Sequence, residues 1–187
     1  EQGKSESRSL IESWHGKGRN RYVITPRFAI SCSTEQLIAA GRLHEQYPGT
    51  YIQTHLSENK DEIDSTLSLC PDCQDYLEVY ERARLVTDRS IFGHCIHLSD
   101  SECRRLVEAG SVVAHCPTSN LFLGSGLFDM QQANRVGMQT VLATDIGAGT
   151  SFSMLRTMGE AYKVQQLGGY PMSVFAVSYT HLTLPTT

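Results

Sequence analysis

The chain has no surplus of basic charge. Sixteen Lys and Arg face twenty Asp and Glu, leaving a formal net charge of −4 and a pI near 6.0. Composition therefore offers no electrostatic footprint for nucleic acid or anionic lipid. No apolar run approaches the ~20 residues needed to cross a bilayer, and the start, Glu1-Gln2-Gly3-Lys4-Ser5, reads neither as a signal peptide nor as an initiator methionine. The expectation is a cytoplasmic protein that binds neither nucleic acid nor membrane. Cysteine is present at positions 32, 70, 73, 95, 103 and 116, but a chain of this size does not need disulfide staples, and reduced thiols are expected. Cys70-Pro71-Asp72-Cys73 has the spacing of half a zinc ribbon or of a redox pair. No second pair at such spacing completes a four-ligand site, so two loop thiols is the plainer reading.

What is present suits one sizeable core: 187 residues, 40% hydrophobic and 19% charged. Four short apolar runs end alike. Tyr51-Ile52-Gln53-Thr54-His55-Leu56-Ser57-Glu58 delivers a histidine, followed three residues later by a glutamate. Ser90-Ile91-Phe92-Gly93-His94-Cys95 and Ser111-Val112-Val113-Ala114-His115-Cys116 also deliver histidines, and Thr140-Val141-Leu142-Ala143-Thr144-Asp145 ends in an aspartate. Parallel strands buried on both faces read as continuous apolar runs, and their C-terminal ends open onto one rim where ligands and catalytic groups gather. Imidazole and carboxylate at such a rim suit Zn²⁺, or Fe²⁺ and Mn²⁺ in related geometries. A glutamate one helical turn past a metal-ligating histidine can carry protons between water and substrate.

Periodicity alternates between strands and amphipathic helices. Strands are expected over 22–31, 50–56, 90–94, 111–115 and 139–144, and helices over 34–47, 59–69, 76–85, 100–109, 126–136 and 153–167. Ser33-Thr34-Glu35-Gln36 and Ser99-Asp100-Ser101-Glu102 look like capped helix starts, and Gly110 and Gly137 like stops. Five βα units imply an α/β fold with parallel strands, a partial (β/α)₈ barrel of the TIM type, since closure usually takes about 250 residues. Residues 1–20 are expected to be a preceding helix or loop, 21–176 to be barrel strands four to eight with their helices, and 177–187 a non-native tail resembling a translated sequencing adapter. His181, in that tail, receives no role.

The chain resembles the guanine deaminases of the amidohydrolase superfamily over about residues 22–175. His-Leu-Ser-Glu at 55–58, His-Cys-Pro-Thr-Ser-Asn at 115–120 and Thr-Asp at 144–145 are shared widely across the superfamily. Pro-Arg-Phe at 26–28, Gly-Ser-Gly-Leu-Phe at 124–128 and Asp-Ile-Gly-Ala-Gly-Thr at 145–150 narrow it to guanine deaminase.

The resemblance implies hydrolysis of the 2-amino group of guanine, giving xanthine and ammonia at a single zinc ion held by His55, His94 and Asp145. Two further histidine ligands, a His-x-His pair on the first strand, are absent upstream of His55. Glu58 is expected to shuttle protons, with Asp145 as the second catalytic acid–base. Arg27 is expected to grip the purine carbonyl and Phe28 to stack on the base, while His55 and Asp145 also touch substrate. The plainer readings of Arg27 and Phe28 are a surface salt bridge and a core ring.

His97 and His115 are expected just behind the ligands, with Asn120 shaping the same loop. A small purine is the expected partner, and family resemblance adds a homodimer. Two alternatives stand beside this reading: another deaminase or chlorohydrolase of the superfamily, and a non-catalytic scaffold. The 187-residue chain by itself is expected to bind zinc weakly and to turn over little.

Overall fold

The computed structural model describes residues 2–169. The tail expected at 177–187, with His181, lies outside the described residues. In chain order the elements are α1 (Gln2–Trp14), β1 (Val23–Ile24), a 3₁₀ turn (Ala29–Ser31), α2 (Thr34–Gln46), β2 (Tyr51–Leu56), α3 (Lys60–Leu69), α4 (Tyr76–Arg82) and β3 (Ser90–His94). Then follow α5 (Asp100–Glu108), β4 (Val112–His115), α6 (Pro117–Leu123), α7 (Met130–Val136), β5 (Gln139–Leu142) and α8 (Met154–Leu167).

The five strands form one parallel sheet in the order β1-β2-β3-β4-β5. Consecutive strands lie side by side because each helical crossover returns the chain to the same end of the sheet. Ile52, Leu56, Phe92 and Val113 from the central strands are fully buried, packed with Leu37 of α2, Leu77 of α4 and Leu106 of α5. Each such side chain contributes about 1.5–3 kcal/mol on burial. A smaller cluster of Ile11, Ile24 and Leu43 seats α1 against β1 and α2.

Helix starts follow local chemistry. The Ser33 hydroxyl accepts from the Gln36 N–H at 3.3 Å while the Gln36 side chain accepts from the Ser33 N–H at 2.7 Å. Ser99 and Glu102 make the same reciprocal pair at α5, satisfying N–H groups that no helical carbonyl can reach.

Three elements differ from expectation by more than three residues, while α4 stops three residues and β5 two residues short of the expected ends. The strand expected over 22–31 is a strand only at Val23–Ile24, because Pro26 has no N–H to donate and restrains Thr25. The chain still runs beside β2, since the Arg27 carbonyl accepts from the His55 N–H at 3.1 Å, and then turns through the 3₁₀ segment. The helix expected over 126–136 begins at Met130, where the Asp129 carboxylate caps the Gln132 N–H at 2.8 Å. Helix α6 was not expected, although Pro117 at its first position and Gly124 in the left-handed region just past its end are its start and stop.

Candidate metal centre and active-site rim

His55 and His94 lie at the C-terminal ends of the neighbouring strands β2 and β3, and Asp145 lies three residues beyond β5. One ligand atom from each lies within 4.8 Å of the other two, the one grouping of this kind among the described residues. The two imidazole rings stack with centroids 5.1 Å apart, and His94 Nε2 is 3.9 Å from Asp145 Oδ2.

The hydrogen bonds of the two histidines decide which nitrogen is presented. His55 Nδ1 is 2.7 Å from the Arg27 carbonyl oxygen, and His94 Nδ1 is 2.8 Å from Asn120 Oδ1. A carbonyl oxygen can only accept, so each Nδ1 carries a proton. In the neutral ring that leaves the lone pair on Nε2, the tautomer in which Nε2 can ligate a metal. Two such lone pairs and a carboxylate form a donor set that fits a divalent ion such as zinc.

The backbone of the rim is held away from its relaxed conformations. Ser57, His94, Cys95 and Asp145 have φ of 50°, 68°, 53° and 45°, in the left-handed region that costs a side-chain-bearing residue on the order of 1 kcal/mol. At Asp145 the turn is closed by the Gly149 N–H donating to the Asp145 carbonyl at 2.6 Å. A Cβ at position 149 would sit 1.8 Å from the Thr144 carbonyl oxygen, so the approach requires glycine.

Glu58 stands next to this group. Its Oε1 accepts from the Ser125 hydroxyl at 3.3 Å and lies 3.5 Å from His94 Nδ1. The shorter bond to Asn120 wins the histidine proton, which leaves the Glu58 carboxylate available to other partners. Its own N–H donates to the Glu62 carboxylate at 3.0 Å, so the catalytic candidate is fixed through its backbone as well as its side chain.

Arg27 is exposed, and its guanidinium lies over the Phe28 ring at 5.0 Å; the Phe28 ring is in turn 5.8 Å from that of His55. The guanidinium, the phenyl ring and the candidate ligand thus line one approach to the rim. His97 Nε2 is 2.9 Å from the Ser125 carbonyl and so holds the segment that reaches Glu58. His115 is fully buried with its ring stacked on Phe128, centroids 4.7 Å apart.

Sequence reasoning took Asn120 for a loop-shaping residue and did not single out Ser125. Asn120 supplies the bond that orients His94, and Ser125 touches Glu58. No periodicity marks either of them, because both act across segments brought together only by folding.

Cys70 and Cys73 are half-buried, joined by a Cys73 N–H to Cys70 carbonyl bond of 3.0 Å. They line a cleft of about 240 Å³ with Leu37, Val79 and Arg82, which includes none of the rim residues. Burial raises the Cys73 pKa, and all six cysteines are free. Behind the rim, burial pushes the Cys116 thiol up to about 12, with the Asp145 charge adding to the effect.

With this geometry in place, known proteins offer a comparison. The model of the Amidohydrolase family matches residues 1–182. The chain belongs to the amidohydrolase family. It is 51% identical over 174 residues to guanine deaminase of Escherichia coli K12, covering 93% of this chain and 40% of that protein. The solved E. coli guanine deaminase superposes with a TM-score of 0.93 at 50% identity, over 95% of this chain and 41% of that one. Guanine deaminase from C. acetobutylicum, solved with guanine bound in its active site, superposes with a TM-score of 0.89 at 31% identity, over 96% and 45%. The α/β architecture, a five-stranded part of a TIM-type barrel, is therefore that of its amidohydrolase relatives. The chain spans about two fifths of the length of the E. coli relative. Among the described residues no helix is long and apolar enough to cross a membrane.

Proposed function

We propose that this chain carries the C-terminal-side half of the active site of a zinc-dependent guanine deaminase, whose reaction is guanine plus water giving xanthine and ammonia. The observation that carries the reading is the convergence of one ligand atom each from His55, His94 and Asp145 within 4.8 Å, with Glu58 alongside. The similarity to guanine deaminases over nearly the whole chain supports guanine as the substrate.

In this reading β1 to β5 are barrel strands four to eight, within residues 21–176. Residues 1–20 precede them, and two further histidine ligands come from the first strand of a full-length protein. His55 and His94 would hold the ion through their imidazoles, and Asp145 through its carboxylate. Zinc, when bound, supplies Lewis acidity that makes water a competent nucleophile at neutral pH.

Asp145 takes the proton of the attacking water. Glu58 gives a proton to the ring nitrogen beside the amino-bearing carbon, because that carbon resists attack until its neighbour is protonated, and later helps ammonia leave. The Arg27 fork grips the purine carbonyl, and Phe28 stacks on the base. His55 and Asp145 contact substrate from the rim, with His97 and His115 behind. The free thiols accord with a cytoplasmic enzyme, and the family resemblance with a homodimer.

The test is ammonia release by a zinc-loaded full-length protein from guanine, with adenine, cytosine and adenosine as controls. Guanine-selective turnover is expected. Turnover of another substrate would retain the family and remove guanine, and metal-free protein without turnover would favour a scaffold.

A further inference from the structure

Tyr76 and Tyr80 are among the most buried side chains in the molecule, at 1% and 0% exposure, and both carry a hydroxyl into the apolar core. A phenylalanine would fill the same volume without the cost of burying a polar group. Their hydroxyls therefore point to a role beyond packing, and their partners show which. The Tyr80 hydroxyl donates to the carbonyl of His55 at 2.7 Å, and accepts from the Ala29 N–H at 3.0 Å and from the Thr54 hydroxyl at 3.1 Å. The Tyr76 hydroxyl donates to Glu62 Oε1 at 2.7 Å and lies 3.4 Å from the Ala29 nitrogen. The other Glu62 oxygen accepts from the N–H groups of Glu58 at 3.0 Å and Asn59 at 3.2 Å.

Each phenol has one proton, and each has an acceptor that cannot donate in return: a backbone carbonyl for Tyr80 and a carboxylate for Tyr76. The direction of both phenol bonds is thereby settled, and each oxygen retains lone pairs for Ala29, while the Thr54 hydroxyl has the Arg27 carbonyl at 3.2 Å as well as Tyr80 at 3.1 Å to donate to. Burial holds both phenols protonated, since it raises their pKa far above the ordinary phenol value. The rings stack with centroids 5.5 Å apart. Helix α4, which carries both, is pinned by Arg105 of α5 pairing with Asp75 and Glu81.

The ends of this network are not ordinary core positions. They are His55 itself, Glu58 itself, and Ala29, the neighbour of Phe28. We infer that Tyr80, Tyr76 and Glu62 are positioning residues forming one buried strut, which holds the Arg27–Phe28 loop, the His55 strand end and the Glu58 turn at constant separation. Tyr80 governs the loop and so acts on substrate binding. Glu62 governs the Glu58 backbone and so acts on the proton-transfer step.

The kinetic part of this inference rests on the guanine deaminase reading. It is tested in a zinc-loaded full-length protein carrying Tyr80→Phe, Glu62→Gln or, as a core control outside the strut, Leu106→Val, with thermal stability measured for all three. Tyr80→Phe removes the bonds to the His55 carbonyl, the Ala29 N–H and the Thr54 hydroxyl; the one to Ala29 bears on the Phe28 loop, and KM for guanine is expected to rise about tenfold with kcat within about twofold, since loosened binding acts equally on ground and transition states. Glu62→Gln is expected to lower kcat about tenfold with KM little changed.

Hydrogen exchange provides a second readout independent of the substrate. The Ala29 amide is expected to exchange faster in Tyr80→Phe while the β3 amides keep their protection. Unchanged KM together with unchanged Ala29 exchange overturns the strut, as does a kinetic change in Tyr80→Phe no different from that of Leu106→Val. If the wild-type protein does not deaminate guanine, that reading falls by itself, and Ala29 exchange decides the strut: faster supports it, unchanged overturns it.

Discussion

His94 and Asp145 face each other across 3.9 Å yet are held in opposite ways. His94 ends β3, with β2 on one side and β4 on the other; its side chain is 2% exposed and bonded to Asn120. Asp145 follows β5, the last strand of the sheet; its side chain is 28% exposed, and a backbone turn closed on Gly149 holds it. The same contrast runs through the packing. Ile52, Phe92 and Val113 of the central strands are fully buried, whereas Val141 of β5 is 41% exposed and Phe152 and Leu155 beyond it are 82% and 70% exposed. One half of the site is made by side chains locked in a core. The other is made by a strained turn closed on Gly149, so its precision depends on backbone geometry.

The strongest way to break the comparison is at the chemistry. In a zinc-loaded full-length protein, Glu58→Gln is expected to lower guanine turnover about 10²- to 10⁴-fold while metal content, read by elemental analysis, largely survives. Asp145→Asn is expected to remove both turnover and part of the metal. Retained turnover in either variant would remove that residue from the mechanism.

Next in size is the packing contrast, measured by denaturant unfolding. In this chain Phe92→Ala, in the sheet centre, is expected to cost about 3–5 kcal/mol, and Val141→Ala, on the half-exposed β5, about 0.5 kcal/mol or less. Equal losses would mean that β5 is as well packed as the centre.

Smaller effects sharpen the contrast at the ligands. Asn120→Ala removes the acceptor that orients His94 and is expected to weaken zinc binding about 10- to 100-fold in a chelator competition. Gly149→Ala attacks the proposed ligand Asp145 through its turn alone, where the added Cβ would meet the Thr144 carbonyl at 1.8 Å; zinc affinity should fall while the sheet still forms by circular dichroism. The smallest effect is chemical. With burial raising the Cys95 pKa and pushing Cys103 up to about 11 and Cys116 up to about 12, these three thiols stay protonated at pH 8. Iodoacetamide should label the half-buried Cys32 and Cys70 first, as mass spectrometry of the peptides would show.

Much of the site was legible in the chain because its parallel strands announce their own ends. A parallel strand in the core is mostly apolar, so the ionisable side chain that closes the run marks the rim. That is how His55, His94 and Asp145 stand out. Capping chemistry marked α2 and α5 equally well, because a serine bonding an N–H three residues on is a local event. Helix α6 carried its proline and glycine signals but was passed over, since it follows β4 without a loop between them.

The sequence by itself thus determined the order of strands and helices, the strand ends that carry ionisable groups, and the family those groups belong to. The first two rest on contacts between residues near in the chain or on the period of burial, and the family on the resemblance of its motifs. Only the tertiary structure decided that Asn120 reaches His94, that Ser125 reaches Glu58, and that two core tyrosines join the Phe28 loop to the His55 strand end. Those bonds span 26, 67 and up to 51 positions, and no local rule reports which distant partner a buried polar group will find. The left-handed turns at His94 and Asp145 belong to the same class, since a conformation that costs energy locally is held only by the packing around it.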